Sequence, residues 1–176
     1  MLHSHSPTPL IGFAAYSGTG KTTLLTKLIP LLKKNKLRVG VIKHSHHAFD
    51  IDYPGKDSYR IRRAGASPVL LVSRFRRAII SEFESPREPC LHQQLTYFDN
   101  EDLDIILVEG FKKENFPKIE LHRPSLEKPL LFPEDDSIIA IACDQKPLGS
   151  VSIPILDINE PEQICRFILE RFIDHA

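Results

Sequence analysis

The segment FAAYSGTGKTTLL, between residues 13 and 25, has the residue types and spacing of a site that holds phosphate. It follows a short apolar run that predicts a buried strand, and its second half opens an amphipathic helical pattern. The backbone N–H groups of residues 17–22 would then converge at the positive end of that helix. Gly18 and Gly20 permit the tight curvature that such a loop needs. The order of strand, loop and helix therefore predicts nucleotide binding.

Two side chains of this loop are suited to the phosphates and to a metal ion. Lys21 can reach the terminal phosphates as a point charge, and the Thr22 hydroxyl can join a Mg²⁺ shell. The match to the Walker A pattern G-x-x-x-x-G-K-[ST] is incomplete, because Ala15 stands where the first glycine belongs. An alanine fits that turn if its φ is negative or if the loop is slightly altered.

A carboxylate that could place the metal ends another apolar run, DIILVE, which begins at residue 104. Glu109 would lie at the carboxyl edge of a neighbouring parallel strand, facing the Mg²⁺ directly or through water. Asp104 lies at the other end of the same run, where a solvated or capping role is favoured. We therefore predict Thr22 and Glu109 as the metal-side residues.

The polar segment from residue 43 to residue 66, KHSHHAFDIDYPGKDSYRIRRAGA, has three interpretations. A second phosphate or substrate contact is favoured, because Lys43 would end a strand beside the phosphate loop. A structural turn at Pro54 and Gly55, followed by a short helix, is compatible with that role. A metal site is also chemically possible, although adjacent histidines do not have the spacing of a closed site. Its candidate ligands would be His44, His46, His47, Asp50 and Asp52.

The elements that must position these residues alternate between strands and helices. Short runs rich in Val, Ile and Leu predict strands buried on both faces, and apolar residues at three- and four-residue spacing predict helices. This alternation predicts an α/β fold with a mostly parallel sheet. The predicted strands are LIGFAA, RVGVIK, PVLLV, DIILVE and SIIAIAC, and the clearest helices are KTTLLTKLIPLLKK and EQICRFILERF.

Two further runs, PVLLVS and RRAIISEF, are separated by a few polar residues and predict an antiparallel hairpin. The Pro-rich and charged stretches ESPREPC and HRPSLEKPLLFPEDD are typical of surface connections. Neither separates domains, so we predict a single nucleotide-binding domain over residues 1–176.

Composition limits the possible partners and compartment. Lys and Arg number 23, as do Asp and Glu, so no net basic charge favours nucleic acid or an anionic membrane. Cys90, Cys143 and Cys165 form no C-x-x-C pair, which favours a reducing compartment. No apolar run approaches the roughly 20 residues needed to cross a bilayer, and the first residues do not have a signal-peptide pattern. We expect a soluble, cytoplasmic protein.

The phosphate-loop segment, the polar segment and DIILVEGFK together resemble the molybdopterin-guanine dinucleotide biosynthesis protein B family. The alanine in place of the first Walker glycine and the K-H-x-H-H and P-G-K-D-S-Y strings make the resemblance specific, and it spans most of the chain. It implies a P-loop protein that binds GTP with Mg²⁺ and forms a homodimer. It also implies an adapter for molybdenum cofactor guanylyltransferase, the enzyme that attaches GMP to molybdopterin, with at most a slow, auxiliary GTPase activity.

The resemblance also carries residues of the family onto this sequence. Glu109 is again the metal-side carboxylate. The implied nucleotide contacts are Ser17, Gly18, Thr19, Gly20, Lys21, Thr22 and Thr23. The matching residues of the polar segment, whose individual roles do not follow, are His44, His47, Asp52, Lys56 and Asp57.

Guanine recognition needs a carboxylate that accepts from the base, yet no N-K-x-D or T-K-x-D string occurs. Asp144 ends the run SIIAIACD at a suitable strand end, and a plain turn residue is an equal alternative. The preference for GTP therefore rests mainly on the resemblance.

An enzymatic alternative stays open beside the adapter. The V-E-G string and the lysine that ends the second strand are also similar to a wider P-loop group, which contains dethiobiotin synthetase and the nickel-insertion GTPases. An ATP-dependent small-molecule kinase or dethiobiotin-synthetase-like ligase would bind its acceptor in the polar segment, and Lys43 would steady the transferred phosphoryl group. A P-loop ATPase that acts on nucleic acid is disfavoured by the neutral charge.

Overall fold

The computed structural model describes residues 8–45, 48–99, 101–147 and 150–174. They form two compact units, one within residues 1–44 and 90–176 and the other within residues 45–89. The prediction of one domain over the whole chain stays a prediction. Within the described ranges, no helix is long and apolar enough to cross a membrane.

Strands and helices alternate along most of the chain. The strands are β1 (Leu10–Ala14), β2 (Val39–Lys43), β3 (Val69–Val72), β4 (Arg77–Ile80), β5 (Ile105–Glu109), β6 (Lys118–His122), β7 (Ile138–Cys143) and β8 (Ile155–Asp157). The α-helices are α1 (Lys21–Lys34), α2 (Asp57–Arg63), α3 (Leu91–Leu95) and α4 (Pro161–Phe172). Short 3₁₀ turns cover Thr96–Phe98, Pro124–Leu126 and Phe132–Glu134.

The larger unit is built on a six-stranded sheet in the order β2-β5-β1-β6-β7-β8. Every pair of neighbours in that order runs parallel. The smaller unit carries the antiparallel pair β3–β4. The predicted fold class, a mostly parallel sheet flanked by helices with an antiparallel hairpin portion, is confirmed.

The two faces of the sheet are covered by different apolar clusters. In β5, Ile105 and Leu107 belong to the larger cluster, whereas Ile106 and Val108 belong to the smaller one. This alternation follows from the two-residue period of a strand. Helices α1 and α4 contribute to the larger cluster through their apolar stripes, which include Leu24, Leu28, Leu32, Ile164 and Ile168.

Strand β6 was not predicted from its sequence, KIELH, although all five of its residues are buried. Lys118 donates from Nζ to Asp135 Oδ2 at 3.0 Å. Glu120 accepts from the backbone N–H groups of Leu131 and Phe132 at 2.8 and 2.9 Å. Burial raises the pKa of Glu120, although these two hydrogen bonds act in the opposite direction. The segment that follows β6 is therefore fastened to it by polar contacts.

In the smaller unit, Arg62 of α2 holds two acidic residues. Its guanidinium donates to Glu82 Oε1 at 2.5 Å and to Asp50 Oδ1 at 2.7 Å. The hydrogen bonds with Glu82 and then Asp50 raise the pKa of Arg62 above its usual range. Asp52 accepts from Ser58 Oγ at 3.1 Å, which joins the start of α2 to the preceding chain. These contacts connect the polar segment, α2 and the chain after β4.

Candidate functional site

The predicted phosphate loop joins the end of β1 to the start of α1. Gly18 and Gly20 have φ values of +82° and +102°, a left-handed conformation that favours glycine. Helix α1 begins at Lys21, and no side chain of the described residues caps its N-terminus. The free N–H groups and the dipole of a 14-residue helix therefore favour an anion at this point.

Alanine replaces the first Walker glycine without a positive φ. Among the described residues other than glycine, the positive φ values belong to Lys36, Phe111 and Glu127, so Ala15 avoids that conformation. Ala15 is 1% exposed and lies in the core. An alanine at this position is therefore compatible with the turn, because it meets the expectation of a negative φ.

Lys21 and Thr19 hold the loop in shape. Lys21 Nζ donates to the carbonyl oxygens of Ala15 and Tyr16 at 3.4 and 3.3 Å, which keeps the ammonium group over the loop. The Thr19 hydroxyl donates to the same Tyr16 oxygen at 2.8 Å, and Thr19 is almost fully buried. The backbone that would surround a phosphate is thus fixed by its own side chains.

Positive charge is concentrated around Lys21. Burial lowers the pKa of Lys21, and the nearby charges of Lys112 and Lys43 lower it further, while Glu109 acts in the opposite direction. Three ammonium groups beside one carboxylate leave an excess of positive charge. A bound polyphosphate would relieve the repulsion between these lysines.

Lys43 and Glu109 meet at the carboxyl ends of β2 and β5. They are register partners, and Lys43 Nζ lies 3.1 Å from Glu109 Oε2. The Glu109 side chain is 14% exposed, whereas that of Lys43 is 56% exposed. The predicted metal-side carboxylate is therefore partly enclosed and is paired with a more exposed lysine.

The donor chemistry at this edge suits Mg²⁺. The hydroxyl of Thr22, in the first turn of α1, and the carboxylate of Glu109 are hard oxygen donors. Glu109 is the register partner of Phe13, near the end of β1, so it lies close to the start of the phosphate loop. These two residues would hold the ion, which would neutralise phosphate charge when it is bound.

His44 packs at the same edge of the sheet. Its backbone N–H donates to the Glu109 carbonyl oxygen at 2.8 Å, and its ring lies 4.7 Å from that of Phe111. A Cβ at Gly110 would come within 2.7 Å of His44 Cβ, so this close approach requires glycine. Lys43 and His44 are thus the members of the polar segment that lie within the larger unit.

The other predicted residues of the polar segment belong to the smaller unit or lie outside the described residues. Asp52 is buried, and Lys56 and Asp57 are exposed at the start of α2. His46 and His47 lie outside the described residues. In the part of the chain that the structure describes, no group of three His, Cys, Asp or Glu residues could hold a metal ion.

Two basic residues at the phosphate loop were missed by the sequence analysis. Lys112 Nζ lies 5.5 Å from the centre of the Tyr16 ring, and Arg123 Nε donates to the Thr19 carbonyl oxygen at 3.0 Å. Lys112 could have been found from its place two residues after Gly110. Arg123 directly follows β6, whose sequence gave no strand signal.

Asp144 follows β7 and is bound to Arg123. The Arg123 Nη1 to Asp144 Oδ2 distance is 2.5 Å. The other carboxylate oxygen of Asp144 is buried and has no hydrogen-bond partner among the described residues. Its predicted role as the acceptor for guanine stays a prediction.

A parallel sheet whose first strand leads through a glycine-rich loop into a helix defines the P-loop NTPase fold. Within that fold, the family model for molybdopterin guanine dinucleotide synthesis protein B matches residues 10–144. The chain belongs to this family.

Curated relatives agree with this assignment. A molybdopterin-guanine dinucleotide biosynthesis adapter protein of Haemophilus influenzae is 46% identical over 167 residues, which cover 95% of this chain and 90% of the relative. The adapter protein of the same description from Escherichia coli K12 is 45% identical over 163 residues, which cover 92% of each chain.

Solved structures share the fold over nearly the whole chain. A crystal structure of molybdopterin-guanine biosynthesis protein B superposes with a TM-score of 0.70 at 27% identity, covering 92% of this chain and 98% of the other. A crystal structure of Bacillus subtilis MobB gives a TM-score of 0.72 at 23% identity, covering 94% and 99%. The second likeness concerns the fold alone.

Proposed function

We propose that this protein is a GTP-binding adapter for the step that attaches GMP to molybdopterin, forming molybdopterin guanine dinucleotide. The observation that carries the proposal is the phosphate loop, with Lys21 held over its carbonyl groups and further lysines around it. The descriptions of the two bacterial relatives support the adapter role. Any hydrolysis of GTP by the protein would be slow and auxiliary.

In this proposal the residues of the site divide the work. Backbone groups of residues 17–23 bind the phosphates, and Lys21 neutralises their charge. Thr22 and Glu109 hold Mg²⁺, while Lys43 keeps Glu109 in place through their ion pair. Lys112 adds a cation at the edge of the loop.

The proposed partner is molybdenum cofactor guanylyltransferase, and the polar segment is its proposed contact. The residues assigned to this contact are His44, His47, Asp52, Lys56 and Asp57. His44 would link the bound nucleotide to this contact, because its backbone N–H donates a hydrogen bond to the carbonyl oxygen of Glu109.

Calorimetric titration with GTP and with ATP, each with and without Mg²⁺, tests the proposal. We expect Mg²⁺-dependent binding of GTP in preference to ATP. A preference for ATP, with turnover stimulated by a small acceptor, would replace the adapter by the kinase or ligase alternative. Glu109→Gln is expected to remove the dependence on Mg²⁺ while leaving metal-free binding in place, because the amide keeps the size of the side chain but loses its charge.

We also propose that the smaller unit mediates a homodimer. The hairpin region carries several large apolar side chains that are more than a third exposed, and a two-stranded sheet is marginal by itself in water. A second copy of the chain would cover them and extend the sheet through a free edge. These side chains are Leu70, Leu71, Val72, Phe75, Ile79 and Phe83.

Val72→Glu is expected to convert the dimer to a monomer in analytical ultracentrifugation. Val72 is 70% exposed and lies opposite Arg77, so a glutamate would pair favourably across the hairpin while placing charge in the interface. Tyr97→Glu is the matched control, because Tyr97 is 60% exposed but lies in the larger unit. A dimer that survives Val72→Glu would exclude the hairpin as the interface.

A further inference from the structure

Arg123 joins two parts of the candidate site that come from distant regions of the chain. Its Nε–H donates to the carbonyl oxygen of Thr19, within the phosphate loop, at 3.0 Å. Its Nη1 lies 2.5 Å from Asp144 Oδ2, at the carboxyl end of β7. One planar guanidinium therefore connects the loop after β1 with the carboxyl end of β7, and β7 lies two places from β1 in the order of the sheet.

The guanidinium also lies close to the next residue of the loop. A Cβ placed at Gly20 would have Arg123 Nη2 as its nearest neighbour, at 3.9 Å. Gly20 is the residue from which α1 starts, and its φ of +102° directs the following N–H groups. Arg123 is thus placed to hold the Thr19–Gly20 peptide in position at the start of α1.

Asp144 is oriented toward Arg123. One of its oxygens accepts from the guanidinium, and the other is buried beneath the surface without a partner among the described residues. To accept hydrogen bonds from the N–H groups of a base, the Asp144 carboxylate would have to leave Arg123 or rotate. In the observed arrangement it instead fixes the position of a cation.

The chain that carries Arg123 is itself firmly anchored. Arg123 directly follows β6, and the segment beyond it is fastened to that strand through Glu120 and Lys118. The side chains of Arg123 and Asp144 are only 30% and 22% exposed, so their ion pair is partly shielded from water. A rigid support and partial burial both strengthen such a pair relative to a surface one.

We infer that Arg123 and Asp144 form a clamp that holds the phosphate loop in its binding conformation. In this assignment Arg123 is a positioning residue, and Asp144 orients it. The inference rests on the proposed nucleotide binding and deepens it. The clamp acts on the triphosphate, whichever base is attached, because its contact with the loop is to the backbone of Thr19.

The test compares GTP, ATP and inorganic triphosphate in calorimetric titrations of Arg123→Ala, Asp144→Ala and the double variant. Each single variant is expected to lower the affinity for all three ligands by about tenfold, which corresponds to the loss of one hydrogen bond to a charged group. The preference for GTP over ATP stays the same. The double variant is expected to be no weaker than either single one, because the two residues act as a unit.

Controls separate positioning from general destabilisation. Arg38→Ala breaks a comparable pair between Arg38 and Asp104. This pair lies at the amino ends of β2 and β5, away from the phosphate loop, so the variant should leave all three affinities unchanged. Arg123→Lys keeps the charge but cannot make both bonds, so it should restore affinity only in part. Asp144→Asn replaces the alanine variant if that protein does not fold.

Three results would overturn the clamp. If Asp144→Ala lowers the affinity for GTP but not for inorganic triphosphate, Asp144 recognises the base. If the Arg123 and Asp144 variants both keep wild-type affinity for inorganic triphosphate, their pair has no part in phosphate binding. A wild-type protein that binds none of the three ligands would overturn the proposed function together with the clamp.

Discussion

Replacement of Lys21 by alanine is expected to abolish tight binding of GTP. The Lys21 ammonium lies over the loop, bonded to the carbonyl oxygens of Ala15 and Tyr16, where the phosphates would replace those weak contacts. Several charge-assisted bonds would be lost at once, so the affinity should fall by about a hundredfold or more. Calorimetric titration with GTP and Mg²⁺ measures the loss.

Lys27→Ala is the matched control, because Lys27 is exposed on the same helix, away from its first turn. It should bind GTP as the wild type does. Wild-type affinity in Lys21→Ala would remove the argument for the phosphate loop altogether.

The pH dependence of binding gives a second measurement on the same residue. Burial and the neighbouring lysines lower the pKa of Lys21 below its usual 10.5, whereas a bound polyphosphate would raise it. The protonated form therefore binds better, and affinity should be full at neutral pH and decline as pH rises through the lowered pKa of the free protein. Lys21→Arg should remove this component of the decline, because a guanidinium stays charged.

The sequence was most informative where one local pattern determined the structure. The predicted run LIGFAA corresponds to β1, and the helical pattern from Lys21 corresponds to α1, which continues past Pro30. The phosphate loop between them needed only neighbouring residues, so its glycines and lysine could be assigned roles. The parallel order of the sheet followed from the alternation of strands and helices.

Strand β6 could not be predicted, because the burial of its polar residues depends on partners that are distant along the chain. Lys118 and Glu120 are 2% and 0% exposed, yet a lysine and a glutamate are normally signs of a solvated strand. Their partners lie 11 to 19 residues later, and all but Ser137 belong to a segment that the sequence pattern classified as a surface connection. The role of Arg123 was missed for the same reason, since its position depends on this strand.

The buried pair between Lys118 and Asp135 yields the second large expected effect. Asp135→Ala should lower the free energy of unfolding by about 3 kcal/mol, because it leaves a buried ammonium group without its counter-ion. Lys118→Met should cost much less, about 1 kcal/mol, since the methionine fills the space and Asp135 still accepts from Ser137. Urea unfolding of the two variants and of the double variant measures this asymmetry.

The asymmetry arises from the different exposure of the two partners. The Lys118 side chain is 2% exposed, whereas that of Asp135 is 29% exposed and can be solvated when it is alone. Lys118 Nζ also lies 5.0 Å from the centre of the Phe116 ring, which offers a cation only part of the stabilisation that a carboxylate gives. Equal losses in the two single variants would show that water reaches Lys118 and that the pair is not a buried one.

Acid should remove the same stabilisation. Burial acts to raise the pKa of Asp135, but the hydrogen bonds from Ser137 and Lys118 outweigh it and hold the pKa below its usual 3.8. A carboxyl group whose pKa is lower in the folded than in the unfolded protein contributes its full stabilisation at pH values above the unfolded-state pKa. It loses this stabilisation as pH falls through the folded-state pKa. The gap in stability between the wild type and Asp135→Ala should therefore be constant near neutral pH and shrink below about pH 4. The Lys118–Asp135 pair fastens the segment after β6, so the support of Arg123 should also loosen in the same acid range. Urea unfolding and GTP titration, carried out at the same pH values, would detect this change.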